Sequence, residues 1–384
     1  MANIVREPYG FTHADPSPLK DVYGGPAGRV FVECMRIRPE GDSANSAIVF
    51  SHPIGGGSFL PLVTALALAG RHIIYCNPRY RGNDTALIME KTVLDLGACI
   101  ADAKTRFGYE TIVLGGWSGG GSQSLFYQEQ AERPTVTHTP AGDPADLTAA
   151  GLQPADAVLL LAAHISRAVT LTEWMDPSIL DEDRPFERDP ELNIYDPACP
   201  NRPPYDEAFV QRFREAQVAR NRRITARVKA TLAELKASGE PDMERPFVTY
   251  GTMCDVRWTD PTQDPSDRRP YTCYLGEPRI ANDGPVGLAR FATLRSWLSQ
   301  WSYDDSHANG LKNAANVTCP TLVINNTADL ACTPSHAHRL FEALAAPDKR
   351  LVNIEAADHY YIERPDLLPK AVAAVTDFLN ARGL

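Results

Sequence analysis

Val113-Leu114-Gly115-Gly116-Trp117-Ser118-Gly119-Gly120-Gly121 is the stretch on which the reading of this chain turns. A β-branched, apolar run at 111–114 leads into it, and a helical pattern at 118–132 follows with no loop between. A strand that passes at once into a helix holds one residue in a strained conformation with little room for neighbouring side chains. Glycines two before and two after Ser118 remove those clashes and leave its hydroxyl exposed at the sheet edge. The start of the helix also aims free N–H groups at that point, where developing negative charge is favoured, and Gly119 N–H can supply one donor. A dinucleotide or phosphate loop is the competing reading of so many glycines. Against it, bulky Trp117 sits inside the turn, the G-x-G-x-x-G spacing is absent, and no phosphate-loop lysine follows.

Working outward, residues 30–38 partly alternate as an antiparallel strand does. Residues 47–50, 72–76, 111–114 and 157–161 are short continuous apolar runs of the buried, parallel kind. Helical patterns at 59–69, 91–107 and 118–132 separate them. The rhythm returns at the end of the chain: strand 321–325, helix 334–344, strand 350–354, helix 368–382. Such alternation predicts an α/β fold, a mostly parallel central sheet with helices on both faces. From about 166 to 305 the alternation lapses. Acidic, proline-rich loops at 181–204 and 260–269 flank a helical pattern at 206–238, whose Phe209, Phe213, Ala216, Ile224 and Val228 recur at helical spacing with Arg220 interrupting the stripe. A second helical stretch is expected at 286–301. Because this block lies between two parts of one sheet, it reads as a mainly helical insertion. The expected organisation is core 1–165, insertion 166–305, core 306–384, with a surface excursion at 134–154.

Three further places carry chemistry. Ser51-His52-Pro53-Ile54-Gly55-Gly56-Gly57-Ser58 follows directly on the strand at 47–50. A tetrahedral oxyanion needs two donors converging from fixed positions. Beside Gly119 N–H, the second is Ile54 N–H or Gly55 N–H, since Pro53 has none to give; His52 itself is a minor alternative to the base named next. The strand at 321–325 ends in a loop carrying Asp329, and the strand at 350–354 in a loop carrying Asp358 and His359. Asp329 can accept from the imidazole Nδ1–H and leave Nε2 free to act as base, an unperturbed imidazole titrating at about 6.5. Asp358, adjacent to His359, is the alternative acid. His164, after the strand at 157–161, is expected on the cleft rim. No metal site is expected: there is no H-E-x-x-H, and His336 and His338 fall on different faces of a helix. No cofactor is expected either.

The chain has 384 residues, 43% apolar and 22% charged, the composition of an ordinary globular protein. Its formal charge of −10 disfavours nucleic acid and anionic membrane as partners. The run Arg220, Arg222, Arg223 reads as a solvated helix face. Eight cysteines form no C-x-x-C pair. Cys34, Cys76 and Cys99 read as buried thiols, and a bridge from Cys199 to Cys254 or Cys273 stays open. The opening MANIVREPYG has no signal-peptide character and no run approaches 18 apolar residues, so a cytoplasmic location is expected.

The chain resembles the α/β-hydrolase superfamily. The resemblance rests on the elbow Gly116-Trp117-Ser118-Gly119-Gly120, the loop His52 to Ser58, the loop Arg79-Tyr80-Arg81-Gly82-Asn83-Asp84, and the chain order Ser118, Asp329, His359. It covers roughly 25–165 and 310–384, and departs from the pattern at Pro53 and Asp358, where glycines are usual. It implies an α/β-hydrolase fold whose block at 166–305 is a cap, and catalysis by Ser118 as nucleophile, His359 as base and Asp329 as orienting acid. The expected reaction is hydrolysis of a carboxylic ester or lactone through an acyl-Ser118 intermediate, on a bulky apolar small molecule enclosed by the cap. Cleavage of a ring-cleavage diketone, an amide or a thioester uses the same apparatus, with Arg257, Arg268 and Arg269 as carboxylate donors for the diketone. A noncatalytic ligand-binding protein is the distant alternative, and assembly as a homodimer is left open. Substrate-binding candidates are His52, Trp117, His164, Trp258 and Tyr360. Trp174, Phe209, Tyr250, Trp258 and Tyr274 either wall a pocket or pack the cap's own core.

Overall fold

The computed structural model describes residues 3–15, 17, 20–23 and 26–384; Met1 and Ala2, at the head of the amino-terminal reading, lie outside them. In chain order the strands are β1 (Ile4–Ala14), β2 (Arg29–Pro39), β3 (Ser46–Ser51), β4 (Ile73–Asn77), β5 (Thr111–Ser118), β6 (Ala157–Ala163), β7 (Pro246–Val248), β8 (Phe291–Thr293), β9 (Thr321–Asn326) and β10 (Lys349–Ile354). Eight of them form one sheet in the order β1-β2-β4-β3-β5-β6-β9-β10. β2 pairs antiparallel with β1 and β4, and the other pairings are parallel. β1 has no counterpart among the expected elements. Pro8 and Gly10 interrupt its pattern, and it is an edge strand of half-buried residues, where a proline costs no ladder bond.

The two-residue period of the strands divides the core. Val49, Ile74, Ile112, Leu114, Val158 and Leu160 face one side, packed against α2 (Met89–Phe107) and α3 (Gly119–Glu132). Ile48, Phe50, Val113, Leu159, Leu322 and Ile324 face the other, packed against α1 (Pro61–Leu68) and the carboxy-terminal helix Leu368–Asn380. Burial on both faces explains the continuous apolar runs.

Between β6 and β9 lies the helical insertion, led by α4 (Arg167–Trp174) and α5 (Glu207–Ala237). The helix expected at 286–301 forms only in its second half. Gly284, Pro285 and Gly287 break its start, Phe291–Thr293 pairs with Pro246–Val248 as a two-stranded sheet, and the Thr293 hydroxyl then caps the turn Leu294–Ser296, which runs into a π-helical turn Trp297–Trp301. Arg220 is also corrected. It is fully buried, not solvated, because residues 176–182 and 250–251 cover that side of α5. Its guanidinium pairs with Glu182 at 2.7 Å and donates to the carbonyls of Asp176, Tyr250 and Gly251. Arg222 pairs with Asp304 on the surface, and Arg223 donates to Ile179 O.

Of the aromatics that would either wall a pocket or pack the insertion's core, three do the latter. Phe209 joins Phe213 and Leu192, while the Trp174 and Trp258 rings meet at a tilt, 5.1 Å between centroids, among Met253 and Cys273. Trp258→Ala is therefore expected to cost about 3–5 kcal/mol, the loss typical of a buried aromatic. Chemical denaturation checks this, and a loss below about 1 kcal/mol, the level of an ordinary surface change, would contradict it.

The insertion is tied to the sheet by charge. Glu173 on α4 meets His336 at 2.8 Å and Arg339 at 3.1 Å on the helix Pro334–Ala343, and Arg257 at 2.8 Å. A second knot holds the loop after β4. Arg79 lies 2.8 Å from Asp95 on α2 and 2.6 Å from Asp15, and His13 at the end of β1 reaches Asp95 at 2.8 Å. Burial opposes the charge on Asp95, but Arg79 and the hydrogen bonds from His13 and Arg79 outweigh it and hold its pKa at about 2. With the folded pKa below the unfolded one, the stabilisation is complete above about pH 3.9 and is lost as pH falls through about 2. The stability gap between wild type and Asp95→Asn is thus expected to narrow as pH falls from about 4 to about 2; urea unfolding at each pH measures it, and a constant gap would refute the pairing.

All eight cysteines are free, so the Cys199–Cys254 and Cys199–Cys273 bridges do not form; Cys199 instead points at Glu191 O. Cys34, Cys76 and Cys99, from β2, β4 and α2, face one another in the core, with Cys34 and Cys99 sulfurs 3.7 Å apart. No helix among the described residues is long and apolar enough to cross a membrane.

Candidate active site

Ser118 ends β5 and caps α3 with φ +54° and ψ −125°, a left-handed conformation that strains any residue with a side chain. The turn is possible because its neighbours are bare. A Cβ on Gly120 would stand 2.1 Å from Ser51 O, and one on Gly116 would stand 2.7 Å from Gly121 Cα. With this turn in the middle of the sheet, its serine half-exposed at the carboxyl edge, the architecture is decided. The chain has the α/β-hydrolase fold. Within that fold the loops after β9 and β10 end beside the same edge as Ser118, which is where the expected acid and histidine lie.

No protein-family model matches the chain, and no curated protein matches its sequence. Among solved structures, a hypothetical protein from Pseudomonas aeruginosa is similar at 14% identity and a TM-score of 0.51, over 97% of this chain and 92% of that one. A monoacylglycerol lipase from Paleococcus ferrophilus is 14% identical with a TM-score of 0.44, over 97% and 98% of the two chains. An acylaminoacyl peptidase from Pyrococcus horikoshii is 12% identical with a TM-score of 0.46, over 98% and 41%. At 14% identity the first of these likenesses is one of fold.

Asp329 is fully buried. Its Oδ1 accepts the N–H groups of Ala331 and Cys332 at 2.7 and 2.9 Å, and its Oδ2 lies 2.6 Å from His359 Nδ1. An imidazole donating from Nδ1 keeps Nε2 as the free acceptor. Asp358 does something else. Its carboxylate accepts the N–H groups of Tyr360, Ile362, Glu363 and Arg364, so it folds the loop that carries the histidine. Burial opposes its charge, and these four bonds outweigh that and lower its pKa.

The His359 ring packs against Trp117 at 4.5 Å and Tyr360 at 4.8 Å. Trp117 Nε1 donates to His359 O at 3.4 Å, which ties the elbow to the histidine loop. From the insertion, Tyr274 stands edge-on to the imidazole at 5.9 Å and its hydroxyl meets that of Tyr360 at 2.5 Å. A cleft of about 430 Å³ opens here between Asp267, Thr272 and Tyr274 of the insertion and Leu330, His359 and Tyr360 of the core. Another of about 360 Å³, lined by Glu182, Arg227 and Phe247, lies within the insertion and holds none of these residues.

Ser118 and His359 are brought near one another but, among the described residues, no hydrogen bond joins them. The polar neighbour of Ser118 Oγ is Cys332 Sγ at 4.0 Å. Sequence reasoning missed Cys332; its signal was only a place in the turn that follows the acid. Burial, then the charge of Asp329, push its thiol well up, so it stays protonated. Asp329, Cys332 and His359 present ligand-type atoms within 4.8 Å of one another, as do Cys34, Cys76 and Cys99. In the first group the Asp329–His359 bond already occupies one atom of each.

In the loop after β3 the amides expected as oxyanion donors have partners of their own. Ile54 N–H points at His52 Nδ1 at 3.3 Å, and Gly55 N–H at His52 O at 2.7 Å. Gly56 N–H is taken by Asn77 Oδ1 at 2.8 Å. The turn closes on itself, with Gly55 and Gly56 at positive φ, so both amides expected to face an oxyanion are engaged inside the loop. His52 and His164 are each buried and each turns Nε2 towards Gly119. Trp258 is held in the insertion's own core, as described above.

Proposed function

We propose that the protein hydrolyses a carboxylic ester or lactone by way of an acyl-enzyme on Ser118, with residues 166–305 as a cap over the core 1–165 and 306–384. The observation that carries the reading is the 2.6 Å bond between His359 Nδ1 and Asp329 Oδ2 beside a serine held in a strained strand-to-helix turn. Rotation of the Ser118 side chain brings Oγ to His359 Nε2, a contact that commonly tightens only when substrate is bound. Oγ then attacks the carbonyl carbon, its proton passes to Nε2, and the oxygen charge that forms faces the Gly119 amide at the head of α3. Collapse expels the alcohol with that proton, and water activated by the same nitrogen releases the acid.

The cleft between Tyr274 and the histidine loop supports a small-molecule substrate reached under the cap. Two of the three arginines that a diketone's carboxylate would need are already paired, which favours an ester. Arg257 is committed to Asp255 and Glu173 and Arg269 pairs with Glu363, while Arg268 is bonded to Ser266, Gln263 and Asp264 through Nε and Nη2 and keeps a buried Nη1 without a partner. Eight free thiols support a reducing, cytoplasmic setting. Purified protein treated with a fluorophosphonate and screened on aryl esters of graded length, lactones and ring-cleavage diketones tests the reading. Labelling at Ser118 with ester or lactone turnover is expected; turnover confined to the diketones, or no labelling, would overturn it.

A further inference from the structure

We infer that His52 is a catalytic residue whose Nε2–H, in place of a second backbone amide, binds the oxyanion together with Gly119 N–H. The inference rests on the serine-hydrolase reading and deepens it.

A hydrolase site needs two oxyanion donors, and one comes from the loop after the neighbouring strand. In that loop Pro53 has no N–H, and the amides of Ile54, Gly55 and Gly56 are spent on His52 Nδ1, His52 O and Asn77 Oδ1. The bond that removes Ile54 N–H fixes the ring. A nitrogen that accepts an N–H carries no proton of its own, so in neutral His52 the proton sits on Nε2. Burial, then the charges of Arg167 and His359, lower the His52 pKa to about 3, which leaves the ring neutral near pH 7. Its Nε2–H makes no bond among the described residues.

Gly119 shows where that donor is aimed. A Cβ on Gly119 would stand 2.9 Å from His52 Nε2 and 3.3 Å from His164 Nε2. The space a side chain would fill next to the nucleophile is therefore bordered by two imidazoles that are nine-tenths buried. A larger residue at 119 would displace His52, and the bare backbone keeps the point open for an oxygen. As Ser118 Oγ bonds to the carbonyl carbon, the C=O π pair moves onto oxygen, and that oxygen lies between the Gly119 amide and the His52 donor. No proton is transferred from His52, which remains neutral through the cycle.

His52→Phe fills the volume without the donor, and His52→Gln returns an N–H. Hydrolysis of 4-nitrophenyl butyrate by the phenylalanine variant is expected to lose about 10²–10³-fold in kcat, the loss typical of one oxyanion donor, with KM nearly unchanged. The glutamine variant should recover part of the loss. Independently of any variant's folding, wild type with ¹⁵N-labelled histidine rings should show His52, assigned through its contact with the Ile54 amide, protonated at Nε2. That resonance should move when a trifluoromethyl ketone forms its adduct with Ser118. A phenylalanine variant with near-normal kcat, a ring protonated at Nδ1, or a resonance unmoved by the adduct would each overturn the assignment. If wild type forms no adduct and hydrolyses no ester, the hydrolase reading itself falls; adduct formation with a silent His52 isolates this inference as the one at fault.

Discussion

Ser118→Ala is expected to abolish covalent labelling by a fluorophosphonate and to lower kcat by about 10⁶-fold, the scale seen when a serine hydrolase loses its nucleophile. The fold should survive. Ser118 Oγ lends no hydrogen bond to the core beyond the 4.0 Å approach of the Cys332 thiol, and alanine is smaller. Alanine also tolerates the φ of +54° no worse than serine does. Circular dichroism should therefore match wild type while activity disappears. Labelling that persists in the variant, traced by mass spectrometry to Ser122 or another residue, would remove Ser118 from the mechanism.

The second large effect is expected at Asp329. Replacing it with asparagine keeps shape and leaves Oδ1 to accept from Ala331 and Cys332. The atom 2.6 Å from His359 Nδ1 becomes an amide N–H, which forces the imidazole to accept there and carry its proton on Nε2, the wrong nitrogen for a base. A loss on the order of 10⁴-fold in kcat with substrate binding largely intact should follow. Asp358→Asn is the control. Its carboxylate serves four backbone N–H groups of the loop and makes no bond to the imidazole, so turnover should fall far less. Measuring kcat for both decides the acid. If Asp358→Asn is crippling and Asp329→Asn turns over normally, the orienting carboxylate is Asp358.

The chain order of Ser118, Asp329 and His359 was legible because each follows a strand of the parallel kind, buried before Ser118 and Asp329 and half-exposed at the sheet edge before His359, and such a strand delivers its following loop to the carboxyl edge of the sheet. The choice between Asp329 and Asp358 was arguable but not readable, since it depends on which carboxylate points inward. Other readings failed for a related reason. Arg220 breaks an apolar stripe, and periodicity alone assigns such a position to solvent; burial by residues 176–182 and 250–251 is a property of the packed insertion. β1 went unread because an edge strand with one proline and mixed burial has little period to show.

The apolar runs, the glycines about Ser118 and the order of elements are local signals. They express backbone sterics and the two-residue and 3.6-residue periods of burial, so the amino-acid sequence alone determined the α/β layering, the helical insertion and the elbow. Tertiary structure alone decided which donors are free. Whether Ile54 N–H meets substrate or His52 Nδ1, and whether Trp258 lines a pocket or packs against Trp174, depends on a turn closing within itself and on faces meeting across the insertion. A hydrogen bond is settled within a few tenths of an ångström and a few tens of degrees, a precision that arises only when every neighbouring element is in place.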